Sequence, residues 1–269
     1  MARHDRVTGT HMHRYDTART CQRARGVVEY ARAMRSMCAA LTWLAGLAGL
    51  AGLAGCGEIV KPASSAVCGD RPGTVFCDDF EAATLDAWSD QDGAPVRETA
   101  VVHAGTGALS VSSKGADDNT SVSIELAPIT SGSVHFRAWF FVPANPALQK
   151  IELFSLNGVS ADGIVFLADQ NELRVYSDAG GGNTLTTGMD VPRDRWACIE
   201  VHAQLAATGG SLTLDLDGAE IGAVTGISTI DSGGYAGLSV GALFQDAGQS
   251  PLTIYVDDVS VGTEPIGCL

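Results

Sequence analysis

Three alternating stretches of this chain carry side chains able to recognise or transform a polar ring. In residues 133–142, SVHFRAWFFV, His135, Arg137, Trp139 and Phe141 fall on one face, with Phe136, Ala138, Phe140 and Val142 on the other. A face that mixes a cation, an imidazole and an indole offers hydrogen-bond donors beside an apolar plate, which suits a sugar ring. The stretch ELRVYS pairs Arg174 with Tyr176, and WACIEVHAQL pairs Glu200 with His202. If these strands share one concave sheet, the seven side chains His135, Arg137, Trp139, Arg174, Tyr176, Glu200 and His202 line one trough and bind a ligand. The competing reading has Trp139 and Phe141 packed under a loop, with the charges merely pairing.

Catalytic patterns are weaker. Gly237-Leu238-Ser239-Val240-Gly241 matches, as a string, the elbow that presents a nucleophilic serine. That elbow needs a strand–turn–helix context and a later histidine, whereas here no helical period follows and the last histidine is His202. His11 and His13 lack the Cys, Asp or Glu partners of a metal site. No catalytic residue is assigned, and the chain reads as a binding protein rather than an enzyme.

The elements that must position these residues are strands. Short strand-like runs, several of them alternating with period two, recur from Val75 onward, among them VFCDDFE, ALSVSS, TSVSIEL, KIELFSL, GIVFLA, SLTLDLDG, YAGLSVGALF and LTIYVDDVSV. Turn residues separate them where hairpins need them, at Asp169-Gln170-Asn171, Gly209-Gly210 and Asp217-Gly218. About eleven strands without a sustained helical period predict an all-β, two-sheet antiparallel sandwich of jelly-roll type over residues 75–269.

The segment before that domain has another purpose. The tripeptide Leu-Ala-Gly occurs four times from Leu44 and ends at Cys56. Residues 34–55 show the charged start, apolar middle and small-residue end of a signal peptide, and Leu53-Ala54-Gly55-Cys56 resembles the lipobox of bacterial lipoproteins. The resemblance implies that Cys56 is acylated and becomes the mature N-terminus, a lipid-anchored membrane protein. Gly57 at the next position leads us to expect the outer membrane of a bacterial cell envelope. A membrane-spanning anchor is the competing reading, but no cluster of Lys or Arg follows to stop transfer. Residues 1–33 are Arg-rich without an apolar period and read as an extension upstream of a start at Met34 or Met37. Residues 56–74 form a tether and the entry to the domain.

Residues 1–56 hold eight of the 17 basic residues and three of the 31 acidic ones, so nine face twenty-eight in the remainder, a charge near −19. Such a surface repels nucleic acid, which is excluded as a partner, and tolerates neutral polymers such as polysaccharide. The four remaining cysteines, Cys68, Cys77, Cys198 and Cys268, allow three connectivities in an exported protein. The local pair Cys68–Cys77 with Cys198–Cys268 is the expected one. We expect a monomer.

Several short motifs carry a family resemblance. Phe76-Cys77-Asp78-Asp79-Phe80-Glu81 with Trp88, and Gly105-Thr106-Gly107-Ala108-Leu109, resemble the opening of concanavalin A-like lectin/glucanase jelly rolls. Arg195-Trp196 with Gly210 to Gly218 is similar to a laminin-G-type strand pair, and Ile254 to Val259 to the closing strand. The opening and closing motifs also resemble galactose-binding-like carbohydrate-binding modules. The resemblance implies sugar binding and a structural Ca²⁺ held by Asp79 or Glu81, Gly107 and Asp257, hard oxygen ligands of the kind that ion takes. Hydrolases of the superfamily need paired carboxylates on one strand, and CIEVH has Glu200 alone. Alginate-lyase-like chemistry would need a His and a Tyr with Arg and Gln in one groove. A polysaccharide lyase, a glycosidase with degenerate motifs and a purely structural envelope lipoprotein are therefore the alternatives.

Overall fold

In the stretch Trp196–Leu205, Ala197, Ile199, Val201, Ala203 and Leu205 are buried to one side, as strict alternation dictates for a strand covered on that face. The same rule builds the rest. The computed structural model describes residues 68–69, 71–116, 118–160 and 163–268. The extension at 1–33, the signal peptide at 34–55, Cys56 and the tether up to residue 67 lie outside the described residues. Fifteen strands follow in order: β1 (Thr74–Asp78), β2 (Asp90–Asp92), β3 (Val96–Glu98), β4 (Ala108–Ser113), β5 (Thr120–Ile129), β6 (Gly132–Phe141), β7 (Ile151–Gly158), β8 (Ile164–Asp169), β9 (Glu172–Ser177), β10 (Asn183–Asp190), β11 (Trp196–Leu205), β12 (Gly210–Leu216), β13 (Ala219–Ile227), β14 (Tyr235–Gln245) and β15 (Leu252–Gly262). No helix occurs among the described residues.

All pairings are antiparallel. Sheet A runs β13-β12-β11-β6-β15-β4-β3, with β1 added beside β15, and sheet B runs β10-β9-β8-β7-β14-β5-β2. The chain is thus the all-β, two-sheet jelly-roll sandwich expected. Eleven of the strands coincide with the strand-like runs of the sequence. The other four, β2, β3, β10 and β13, are three-residue or largely exposed strands with little apolar alternation to mark them.

The core lies between the sheets. Phe136 and Phe140 of β6 meet Phe154 of β7 and Phe166 of β8, with ring centroids 4.7 Å (Phe136–Phe154) and 5.8 Å (Phe140–Phe166) apart. Such contacts each contribute about 0.5–1.5 kcal/mol beyond the area they bury. Two hairpins close through left-handed pairs, Gln170-Asn171 (φ 50° and 72°) and Asp217-Gly218 (φ 51° and 81°), the backbone that tight two-residue turns require. Cys68 bonds Cys77, and Cys198 bonds Cys268, with Cα separations of 5.5 and 5.8 Å.

Candidate functional site

The seven side chains expected in one trough occupy two sheets. His135, Arg137 and Trp139 (β6) with Glu200 and His202 (β11) face outward from sheet A, whereas Arg174 and Tyr176 belong to β9 of sheet B. They do not converge, because β6 and β11 pair with each other and β9 pairs with β8 and β10. Within each sheet the pairing is close. Glu200 sits directly opposite Arg137, His202 opposite His135, and Cys198 opposite Trp139.

The sheet A group is sealed. The C-terminal segment after β15 crosses it, and the Cys198–Cys268 disulfide fastens that segment to the face itself. Ile266 N–H and Gly267 N–H donate to the two Glu200 oxygens at 3.0 and 2.7 Å, and Arg137 Nη1 donates to Gly267 O at 3.3 Å. Arg71 Nη1 donates to Ile266 O at 2.9 Å, so the entry segment stapled by Cys68–Cys77 clamps the same strap. Arg137 is 0 % exposed and Glu200 5 %. Burial works to raise the Glu200 carboxyl, but hydrogen bonds from His135, Ile266 and Gly267 outweigh it and hold the group below its ordinary value. Burial pulls the Arg137 guanidinium down, against the attraction of Asp258. Burial and then His135, whose ring stacks at 4.2 Å, pull His202 below its ordinary value. Trp139 stacks on His103 at 3.7 Å. The strap thus covers Arg137 and Glu200, while Trp139 and His202 beside it stay partly exposed.

The residues assigned to Ca²⁺ support a neighbouring loop. Glu81 accepts from Thr106 N–H, Thr106 Oγ1 and Gly107 N–H at 2.7, 2.8 and 3.1 Å. Asp257 accepts from His103, Ala104 and Asp258 N–H groups at 2.9, 3.3 and 2.8 Å. The two carboxylates thus pin residues 103–107 from both ends. Beside Gly107, where a Cβ would lie 2.2 Å from Phe80 O, the Arg97 guanidinium donates to that carbonyl at 2.7 Å. Asp79 accepts from Glu81 N–H at 3.3 Å. Asp257 clusters instead with His103 and Asp258, whose ligand atoms lie within 4.8 Å of one another, and this group includes neither Asp79 nor Glu81. Burial and then Asp258 push Asp257 up to about 7.

Sheet B presents an open face. Cross-strand register aligns Ser123 (β5), Ser239 (β14), Ser155 (β7), Val165 (β8), Tyr176 (β9) and Thr184 (β10) in one outward row. A second row aligns Glu152, Leu167, Arg174 and Thr186. Between them lies a trough of about 460 Å³, walled by Lys150, Glu152, Asp169, Arg174, Tyr176, Asp178 and Thr184. Val165 and Leu167 lie beneath it, only 3 % and 4 % exposed. Arg174 is held by Glu172 (Nη2–Oε2, 2.7 Å) and Asp169 (Nη1–Oδ2, 2.5 Å). The β9–β10 hairpin passes Tyr176 closely: at Gly182 (φ 88°) a Cβ would lie 2.6 Å from Tyr176 Oη. Lys150 Nζ stands 5.1 Å from the Phe244 ring centroid.

Ser239 is a strand residue of this face, bonded to Ser123 and Asn157, not a nucleophile on an elbow. No histidine of the described residues stands on sheet B; His135 and His202 are in sheet A, and His103 binds β15. The His–Tyr arrangement of a lyase is therefore not assembled from His135 or His202 with Tyr176. Sequence reasoning found Arg174 and Tyr176 but missed Lys150, Glu152, Val165, Leu167, Asp169, Asp178 and Thr184. The alternation of Val165, Leu167 and Asp169 was a signal for part of that set.

The chain matches no protein-family model, and no curated protein matches it significantly in sequence. In fold it is similar to an endo-β-1,4-glucuronan lyase from the fungus Trichoderma reesei, at 15 % identity over 71 % of this chain and 96 % of that one, with a TM-score of 0.54. It is similar to the cellulose-induced protein Cip1 at 17 % identity over 72 % of this chain and all of that one, with a TM-score of 0.57. The binding domain of botulinum neurotoxin serotype C1 matches at 11 % identity over 71 % of this chain and 49 % of that one, with a TM-score of 0.53. At these identities the likeness speaks for the jelly-roll sandwich alone.

Proposed function

We propose that this domain is a non-catalytic carbohydrate-binding module whose binding face is the outer surface of sheet B, displayed on the cell envelope through a lipidated Cys56. The trough carries the reading. It crosses several strands, with polar walls for hydroxyls and the Tyr176 ring for the apolar face of a sugar. Tyr176 supplies a ring edged by a hydroxyl, and Arg174 is pre-set by its two carboxylates, so little side-chain order is lost on binding. The separation of the histidines from Tyr176 favours binding over elimination chemistry.

Affinity is expected in the micromolar to millimolar range, about 4–8 kcal/mol. A glycan array followed by calorimetry on wild type, Tyr176→Ala and His202→Ala tests the assignment. Loss of binding in Tyr176→Ala with retention in His202→Ala supports it. Retention in Tyr176→Ala displaces the site, release of unsaturated sugar ends or reducing ends makes the protein an enzyme, and no binding to any glycan favours a structural lipoprotein. For the anchor, Cys56→Ser should block lipoprotein processing; a variant that matures and partitions normally would refute it.

A further inference from the structure

We infer, building on the binding role proposed above, that the sheet B trough selects neutral saccharide units and rejects uronate polymers. The charges around it are unequal. Lys150 and Arg174 stand against Glu152, Asp169, Glu172 and Asp178, a local balance of two positive to four negative. Arg174, the residue whose planar fork would otherwise pair with a sugar carboxylate, is already committed. Its Nε and Nη2 both donate to Glu172 Oε2, at 3.0 and 2.7 Å, and its Nη1 donates to Asp169 Oδ2 at 2.5 Å. Glu172 is held in turn by Gly188 N–H at 2.6 Å, so it is not a loose counter-ion that an incoming anion displaces easily.

A uronate carboxylate entering here would meet an Arg174 whose charge is already balanced by two fixed carboxylates that take three of its five N–H groups, or would approach Lys150 past Glu152 and Asp178. Either route places like charges within a few ångströms of one another, and the acidic chain as a whole, at −14, adds a long-range barrier. A neutral ring meets none of these costs. Its hydroxyls donate to carboxylate oxygens, and its apolar face rests on the Tyr176 ring. Asp169 and Glu172 act as specificity-determining residues because they occupy the guanidinium.

The test is calorimetric titration of the purified protein with cello-, manno- and galacto-oligosaccharides as neutral probes and oligoglucuronate and oligogalacturonate as acidic ones, at low and raised salt. We expect at least one neutral probe to bind with an affinity insensitive to salt, and no uronate binding. The double variant Asp169→Asn, Glu172→Gln should gain uronate binding at least about tenfold, lost again at raised salt. Wild-type binding of a uronate above every neutral probe overturns the inference and leaves the binding role intact. Absence of binding to either class overturns the binding role itself. A double variant that keeps its fold by circular dichroism yet still rejects uronates overturns the part given to Asp169 and Glu172.

Discussion

The outer faces of the two sheets begin from similar materials and end differently. Each turns arginine, carboxylate and an aromatic ring outward, Arg137 and Trp139 of β6 with Glu200 of β11 on sheet A, and Glu172, Arg174 and Tyr176 of the single strand β9 on sheet B. On sheet A the strap ending at Cys268 converts those groups into a buried polar network in which Glu200 takes three hydrogen bonds. Among the described residues no such strap crosses sheet B, and the same residue types wall a trough. Residue type therefore marks a polar face, and covering segments decide whether it is a site or an interior. A buried charge of this kind is costly to strand, whereas exposed pairs are worth little to stability.

That contrast is sharpened by removing the strap. Cys198→Ser with Cys268→Ser opens a loop of 70 residues and should cost on the order of 4 kcal/mol in the chain-entropy model, read as a lowered denaturation midpoint. An unchanged midpoint would mean that the strap does not hold the face. Glu200→Gln should cost about 2 kcal/mol, because charge-assisted bonds to Ile266 and Gly267 are lost while the volume stays. The corresponding change on sheet B, Tyr176→Ala, removes a half-buried ring and should cost about 1 kcal/mol, less than either sheet A change, yet weaken glycan binding about tenfold.

The faces should also differ in their response to pH. Glu200 has a folded pKa below its ordinary 4.5, so its stabilisation is present above that value and is lost as pH falls through the folded one. Asp257, raised from 3.8 to about 7, works the other way: its contribution is full below about 3.8 and disappears as pH rises through about 7. Melting curves of wild type, Glu200→Gln and Asp257→Asn should show the first variant flattening the acid limb and the second the limb between about 4 and 7. Parallel curves for all three would break the assignment. Tyr176→Ala should leave both limbs as in wild type.

Much of the fold was legible because the information is local. Alternation in Trp196–Leu205 and in Leu212–Leu216 gives the strand and its inward face from a few residues, and Asp217-Gly218 gives the turn between them. The candidate site was legible only in part. That Arg174 and Tyr176 share a face is local, but that β9 lies in the other sheet from β6 and β11 depends on pairings between residues far apart in sequence. The burial of Glu200 was nearly readable. Cys198 shares its outward face, and the expected bond to Cys268 requires the C-terminal segment to reach that face. What no local pattern announced was Glu200 accepting from Ile266 and Gly267, since a backbone N–H has no sequence signature. Strands β10 and β13 escaped notice because exposed edge strands need no apolar alternation.

The central claim, that sheet B binds while sheet A is sealed, is tested most directly by amide hydrogen exchange with and without a saturating glycan found on the array. Added protection is expected in β8, β9 and the β9–β10 hairpin, with residues 133–141 and 196–205 and the strap unchanged. Protection gained in residues 133–141 and 196–205, with β8 and β9 unchanged, would contradict it.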